Sequence, residues 1–208
     1  APLRERLAGL PTAVALDEVA PSAPAAGRAR RVARDMVIDA TFALQGPSRA
    51  RAIAWFESNG FVAETIEQME HGRLPGLRPA CALRLGRMGS PVAASVLAAG
   101  LRDHNYRVRD ACAIALGRVA TTTQVRDLVD AFARREVPRG VLSNALLQLR
   151  PDADQALVAC LAEPDPSTRE LVAQVLGLRR SVHAVTERMG LIDDPTPDVR
   201  RAPLVARA

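Results

Sequence analysis

Apolar positions along residues 72–208 recur with a helical period. Leu77, Cys81, Leu85 and Met88 are spaced four, four and three apart, and Val108, Cys112, Leu116 and Val119 repeat the same spacing. Each set falls on one stripe of a 3.6-residue helix. Between these helices lie shorter amphipathic segments whose apolar pairs, Leu97/Leu101, Leu128/Phe132 and Leu157/Leu161, are each four apart. Breakers fall between the segments. Ser90-Pro91 predicts an N-cap followed by a first helical residue. Thr121–Thr123 and Asp152 are predicted to cap the next two first helices, and Glu163-Pro-Asp-Pro and Asp194-Pro-Thr-Pro read as turns within helix pairs. The unit is helix, turn, helix in about thirty residues.

The units are copies of one another. RPACALRLGRMG at 78–89 and RDACAIALGRVA at 109–120 share seven of twelve residues at a spacing of 31. Further copies open at Arg139, Arg169 and Arg200, 30, 30 and 31 residues on. One helix pair cannot bury its own apolar stripe, whereas stacked pairs can, and the pattern therefore predicts an α-solenoid. Gly86, Gly117 and Gly177 share one position of the repeat and read as helix-packing or bend glycines.

An acid precedes the opening arginine by six residues in Asp103/Arg109, Glu163/Arg169 and Asp194/Arg200. With Val108-Arg109-Asp-Ala running on to Ala115-Leu116-Gly117, and Val199-Arg200 repeating the start, the chain resembles the HEAT-repeat proteins, in particular the short bacterial, phycobilisome-lyase-like variety. The resemblance implies an all-α, right-handed α-α superhelix. It also implies a structural Asp/Glu–Arg ladder in which each arginine binds the acid of its own or an adjacent unit. At the unit opened by Arg139, Pro138 replaces the valine and Ala133 the acid, so the ladder is expected to be interrupted there.

Residues 1–71 read as an irregular helical N-terminal cap and 72–208 as the repeats, the last one truncated. Within the cap, Arg4–Leu10 suggests a short helix, and the Pro/Ala-rich stretch 20–27 reads as loop. Helices are expected from Arg28 to about Leu44, over Ser48–Ser58 and over Phe61–Glu70. Phe42, Trp55, Phe56 and Phe61 are four of only six aromatic residues. They read as a plug over the apolar end of the stack, the alternative being a partner-binding patch. Arg28, Arg30, Arg31 and Arg34 read as a solvated helix face, with a phosphate or anionic-lipid contact as the functional alternative.

Composition narrows the function classes. All 28 basic residues are arginine, against 23 acids, which leaves a net charge of +5. That excess is too small to indicate a nucleic-acid partner without clustering on one face. Cys81, Cys112 and Cys160 are odd in number and widely spaced, so they form no disulfide framework or zinc motif and read as reduced core residues. His71, His104 and His183 form no metal-ligand pair, and no nucleotide-binding or nucleophile motif occurs. No catalytic residue, cofactor or metal is therefore expected, and the chain is read as a non-enzyme.

The face opposite the core stripe of the second helices supplies a candidate site. It consists of Leu83 and Arg87, then Asp110, Ile114 and Arg118, then Asn144 and Gln148, then Gln174. In HEAT-like stacks the second helices line the concave side, so the resemblance implies a protein-binding groove there. The expected function is a cytoplasmic scaffold or adaptor that binds another protein. A nucleic-acid binder resembling the HEAT-like DNA glycosylases is one alternative. It has few rings for base stacking: Trp55 lies outside the repeats, and Tyr106 is placed in a turn. The other is the cytoplasmic domain of a membrane-anchored protein near envelope or glycosyl-transfer machinery. The start at Ala1 reads as that of a processed piece, and a membrane would be reached only through a segment upstream of it.

Overall fold

The computed structural model describes residues 26–41, 43–74 and 76–205. The expected helix over 4–10, the loop over 20–25, Phe42 and the side chain of His183 lie outside the described residues. Twelve α-helices follow one another, with no strand among the described residues. They are α1 Gly27–Thr41, α2 Gly46–Ser58, α3 Phe61–His71, α4 Leu77–Met88, α5 Ala94–Gly100 and α6 Tyr106–Val119. Then come α7 Thr122–Ala133, α8 Arg139–Gln148, α9 Asp154–Ala159, α10 Pro166–Leu178, α11 Val185–Gly190 and α12 Pro197–Val205. Single 3₁₀ turns at Pro91–Ala93, Pro151–Ala153 and Val182–Ala184 lead into α5, α9 and α11. No described helix is long and apolar enough to cross a membrane.

Sequential helices pair, α3 with α4, α5 with α6, α7 with α8 and α9 with α10, and the pairs stack. The second helices form a continuous layer in which α6 lies directly between α4 and α8, and α10 between α8 and α12. This explains why α6 is buried on more than one face. Besides Val108, Cys112, Leu116 and Val119 it buries Ala111, Ala113, Ala115 and Gly117. Small residues sit where a neighbouring helix crosses closely, and larger ones fill the seam toward the first helices. A Cβ on Gly86 would lie 2.7 Å from Ala115 Cα, and one on Gly117 would lie 2.5 Å from the Ala145 carbonyl oxygen. At both positions helix packing is the reason for glycine.

The turns differ in how they end their helices. Ser90 accepts from the Val92 N–H at 3.2 Å and donates to Glu57 at 2.6 Å, so it caps the turn and ties it to α2. At α7 the Gln124 side chain accepts from both the N–H and the hydroxyl of Thr121, at 3.1 and 2.6 Å. Asp152, expected as a cap, is not one. It lies inside the 3₁₀ turn that precedes α9 and pairs with exposed Arg150 at 3.0 Å, because Pro151 starts the turn one residue earlier. Tyr106 is the first residue of α6 rather than a turn residue, since Asn105 takes the cap and accepts from the Arg107 N–H.

The first helix ends at Thr41 rather than near Leu44. Its hydroxyl donates back to the Val37 carbonyl at 2.6 Å, and Leu44 is buried from the following turn. Phe56 and Phe61 are fully buried, and Trp55 packs edge-on to Phe56 with ring centroids 5.5 Å apart. These rings are core, joining α2 to α3. Arg30 does not present a solvated face. Its guanidinium lies 4.1 Å from the centre of the Phe61 ring and donates to the Asn59 carbonyl at 2.6 Å and to Glu64 at 2.5 Å. Arg34 pairs with Asp35 at 2.9 Å. The three cysteines are buried and unbridged. Burial pushes the Cys112 thiol up to about 12 and that of Cys160 up to about 11, so both are unreactive thiols at neutral pH.

Candidate protein-binding face

Each of Arg109, Arg169 and Arg200 lies at the start of a second helix, and its guanidinium reaches back to the turn that joins it to the first helix. Turn carbonyls have no regular secondary-structure partner, and a guanidinium there satisfies them. Arg109 donates to the carbonyls of Asp103 and His104 at 2.8 and 3.3 Å. Arg169 reaches those of Glu163 and Pro164, both at 2.8 Å, and Arg200 those of Asp194 and Pro195 at 2.8 and 3.1 Å. The pairs Asp103/Arg109, Glu163/Arg169 and Asp194/Arg200 are thus joined through the acid's backbone.

Carboxylates of Asp103 and Asp194 serve the unit before. Arg78 pairs with Asp103, and Arg169 meets both oxygens of Asp194 at 2.8 and 3.0 Å. The fork-to-fork contact of Arg169 and Asp194 fixes the relative placement of α10 and α12. Between these two rungs the pattern changes. Arg109 finds the Glu136 carbonyl at 2.8 Å in place of a carboxylate. Arg139 turns to Glu170 and Gln174, each at 2.9 Å, and Glu163 is taken by Arg126 at 2.8 Å. Ala133 offers no acceptor at the position of the missing acid.

These contacts set a pH dependence. The Arg169 guanidinium holds the Asp194 carboxyl below the usual range, and the Thr168 hydroxyl does the same for Asp165. For Asp103 burial pushes upward, but the Asn105 N–H and Arg78 outweigh it and the net shift is downward. A lowered folded-state pKa contributes stability that is present above the ordinary carboxylate value of ~3.9 and is lost as pH falls through the folded value. Urea midpoints should therefore hold from neutral pH to about 5 and fall below about 4. Asp194→Asn should be less stable at neutral pH and show a shallower acid limb. Parallel acid limbs in the two proteins would show that the Arg169–Asp194 contact carries none of this dependence.

Two arginines form an anchor that the repeat pattern did not reveal. Arg179 follows α10, and its guanidinium meets Asp154 at 2.8 and 2.6 Å. It also donates to the carbonyls of Leu146, Leu149 and Arg150 at 3.0, 2.8 and 3.0 Å. Arg126 on α7 closes a similar link to Glu163. The available signal was Asp154 itself, an acid in the first turn of a first helix where the equivalent Ala94 is apolar and buried.

The face opposite the core stripe holds the candidate binding residues. Leu83 is 39% exposed, Ile114 is half-buried, and Arg87, Asn144 and Gln148 are exposed. Arg118 donates to Gln148 at 2.9 Å, and Gln148 donates to Asn144 at 2.7 Å, linking α6 to α8. Burial, with the charges of Arg87 and Arg49 adding to it, holds the Arg118 guanidinium below its usual pKa. Gln174 donates to Glu170 at 2.8 Å, and the two share Arg139. Beside Leu83 and Arg87 a groove of about 340 Å³ runs between α1 and α4, with Asp35, Asp39 and Arg84 in its walls. Asp110 is turned elsewhere and lines a second groove near the start of α6.

No group of three or more potential metal ligands occurs among the described residues, and exposed His104 lies beside Asp103. Residues 62–150, from α3 through α8, match the family model for HEAT repeats. Comparison with curated proteins gives no match. HEAT repeats commonly act as scaffolds for protein interactions and are typically non-catalytic. The helix pairs continue through α9–α12 in the same order, with the Arg169–Asp194 contact repeating that of Arg78 and Asp103: residues 62–150 are HEAT repeats, within a fold that is an all-α solenoid.

Proposed function

We propose that this protein is a non-catalytic scaffold that holds a protein partner along the face of its second helices. The observation that carries this reading is the row of Leu83 and Ile114 beside Arg87 and Arg118, continued by Asn144, Gln148 and Gln174. Apolar residues left at the surface next to arginines suit the centre of a protein interface. The backbone approach at Gly86/Ala115 and Gly117/Ala145 supports a concave shape for this face. The second helices meet at backbone distance, while the first helices hold Leu97, Leu128 and Leu157 in the core. A stack with shorter spacing on one side curves toward that side. The row carries arginine only at Arg87 and Arg118 and then passes to Gln148 and Leu178, which favours a protein over a nucleic-acid backbone. Three buried, unpaired thiols suit a reducing compartment, and we place the protein in the cytoplasm.

Photocrosslinking from within native extract tests the face. A crosslinking residue at Leu83 or Gln148 should yield a discrete protein adduct, and one at Asp127 on the first-helix side should not. Arg87→Glu combined with Arg118→Glu should remove the adduct while the helical circular dichroism is retained. Equal adducts from both sides, or an adduct indifferent to charge reversal, would place the interface elsewhere.

A further inference from the structure

Residues 182–193 form one short rod: the 3₁₀ turn Val182–Ala184, then α11, then a 3₁₀ turn over Leu191–Asp193. It takes the place that α5 and α9, with their leading turns, take in earlier units. Its inner side is ordinary. Ala184 and Leu191 are buried, and Ala93 and Ala153, at the repeat position of Ala184, are buried too. Its outer side differs. Ala94 and Asp154 are buried, but Val185 at their position is 52% exposed. Leu101 and Leu161 are buried, but Ile192 at theirs is 49% exposed. In the earlier units the next first helix is the cover: α5 meets α7, and α9 meets the turn Val182–Ala184. α11 has no such cover among the described residues and buries none of its own six. With Val182 at 77% and Met189 at 59%, the four residues make an open apolar stripe.

The spacing of the stripe selects what fits it. Val182, Val185, Met189 and Ile192 are three, four and three apart, so the stripe reads alike in both directions about the level of residue 187. A second copy laid antiparallel across it, related by a two-fold axis, sets Val182 against Ile192 and Val185 against Met189, each contact occurring twice. The charges obey the same symmetry. Arg180 precedes the stripe and Asp193 closes it, both exposed, and the two-fold pairing brings Arg180 of each copy to Asp193 of the other. The turn after α10 fixes the Arg180 backbone at φ 53°, with its N–H on the Gly177 carbonyl at 3.0 Å and that of Ser181 on the Leu176 carbonyl at 3.2 Å. A cover that was simply a following repeat unit would need neither the symmetric spacing nor the opposed charges.

We infer that α11 and its flanking turns are a contact surface for a second copy of this chain, joined antiparallel about a two-fold axis through the Val182, Val185, Met189 and Ile192 stripe, with Arg180 facing Asp193 at both ends. A rod this short gives an interface at the low end of the specific range, below ~1,200 Å² in total, and a dissociation constant of roughly 10–100 μM is expected. The surface is separate from the second-helix row, and its test needs no partner from that reading.

Sedimentation equilibrium of the full chain between about 5 μM and 1 mM should show the mass rise from one chain to two and no further. Met189→Glu, at an exposed position, should raise the dissociation constant at least about tenfold while helical circular dichroism is retained. Val92→Glu, at another exposed apolar position far from the stripe in the stack, should leave it unchanged. The charge variants test the symmetry. Arg180→Asp, which aspartate tolerates in the left-handed region, sets two acids against each other twice, and Asp193→Arg sets two arginines against each other twice. Each alone should associate about tenfold more weakly. An equal mixture of the two should form a heterodimer about as tight as the original dimer, because every contact is again of opposite sign. Mass that stays at one chain up to about 1 mM, growth beyond two chains, association untouched by Met189→Glu, or a mixture no tighter than its components overturns the assignment.

Discussion

Arg179→Leu is expected to destabilise the fold by about 3–5 kcal/mol, the range for removing one partner of a buried ion pair. The side chains of Arg179 and Asp154 are only 9 and 10% exposed, so solvent screens the pair little. Leucine keeps much of the stem's packing but leaves two deficits. The Asp154 carboxylate stays near the core without its guanidinium. The carbonyls of Leu146, Leu149 and Arg150, which end α8 and begin the next turn, lose their shared donor. Because Arg179 follows α10 while its acceptors belong to α8 and α9, the loss falls on the junction between two units. The double variant Arg179→Leu/Asp154→Leu should recover part of the stability, since it removes the orphaned charge and leaves only the carbonyls unsatisfied. Urea denaturation followed by circular dichroism measures both. A change below about 1 kcal/mol in the single variant would show that water replaces the guanidinium without cost.

That junction also marks where sequence reading stops. The period was legible because burial repeats it: Cys81, Leu85 and Met88, then Cys112, Leu116 and Val119, are all in the core. Five arginines in register located the start of each second helix. What those arginines touch was not legible, because most of their acceptors are backbone carbonyls, which no side-chain pattern records. The six-residue spacing of Asp103 and Arg109 reflects the length of the turn between the two helices, and Asp103 in fact pairs with Arg78 of the preceding unit. Arg30 read as one of four exposed cations because its partners Asn59, Phe61 and Glu64 lie about thirty residues away in sequence. The face opposite the core was legible as a row of positions. The neighbours that position its side chains, such as Gln148 for Arg118, become visible only once the units are stacked. Asp110 shared that row on a helical wheel, and the widened groove beside Ala133 gives it a different environment.

Gly117→Val should cost about 3 kcal/mol or more, at the upper end of the range for overpacking. The usual gain from replacing a glycine inside a helix, at most ~1 kcal/mol, cannot offset this. The Cβ would lie 2.5 Å from the Ala145 carbonyl oxygen and 2.8 Å from its Cα. Both are backbone atoms of α8, so no rotamer change relieves the clash and the helices must separate. Gly100 contrasts with this, since its closest neighbours are the flexible ends of Cys112 and Met69. Gly140→Ala on the same α8 is the control. A Cβ there meets nothing within 4 Å, and the substitution should raise stability by about 0.5–1 kcal/mol. Thermal melts of the two variants should shift in opposite directions, and a neutral Gly117→Val would mean that α8 yields without losing its other contacts. The separation has a second consequence. Gly117 and Ala145 set the spacing between α6 and α8, across which Arg118 reaches Gln148. A milder variant, Gly117→Ala, that still folds should widen this spacing, break that hydrogen bond and weaken the second-helix face for its partner, without altering any residue that the partner would touch.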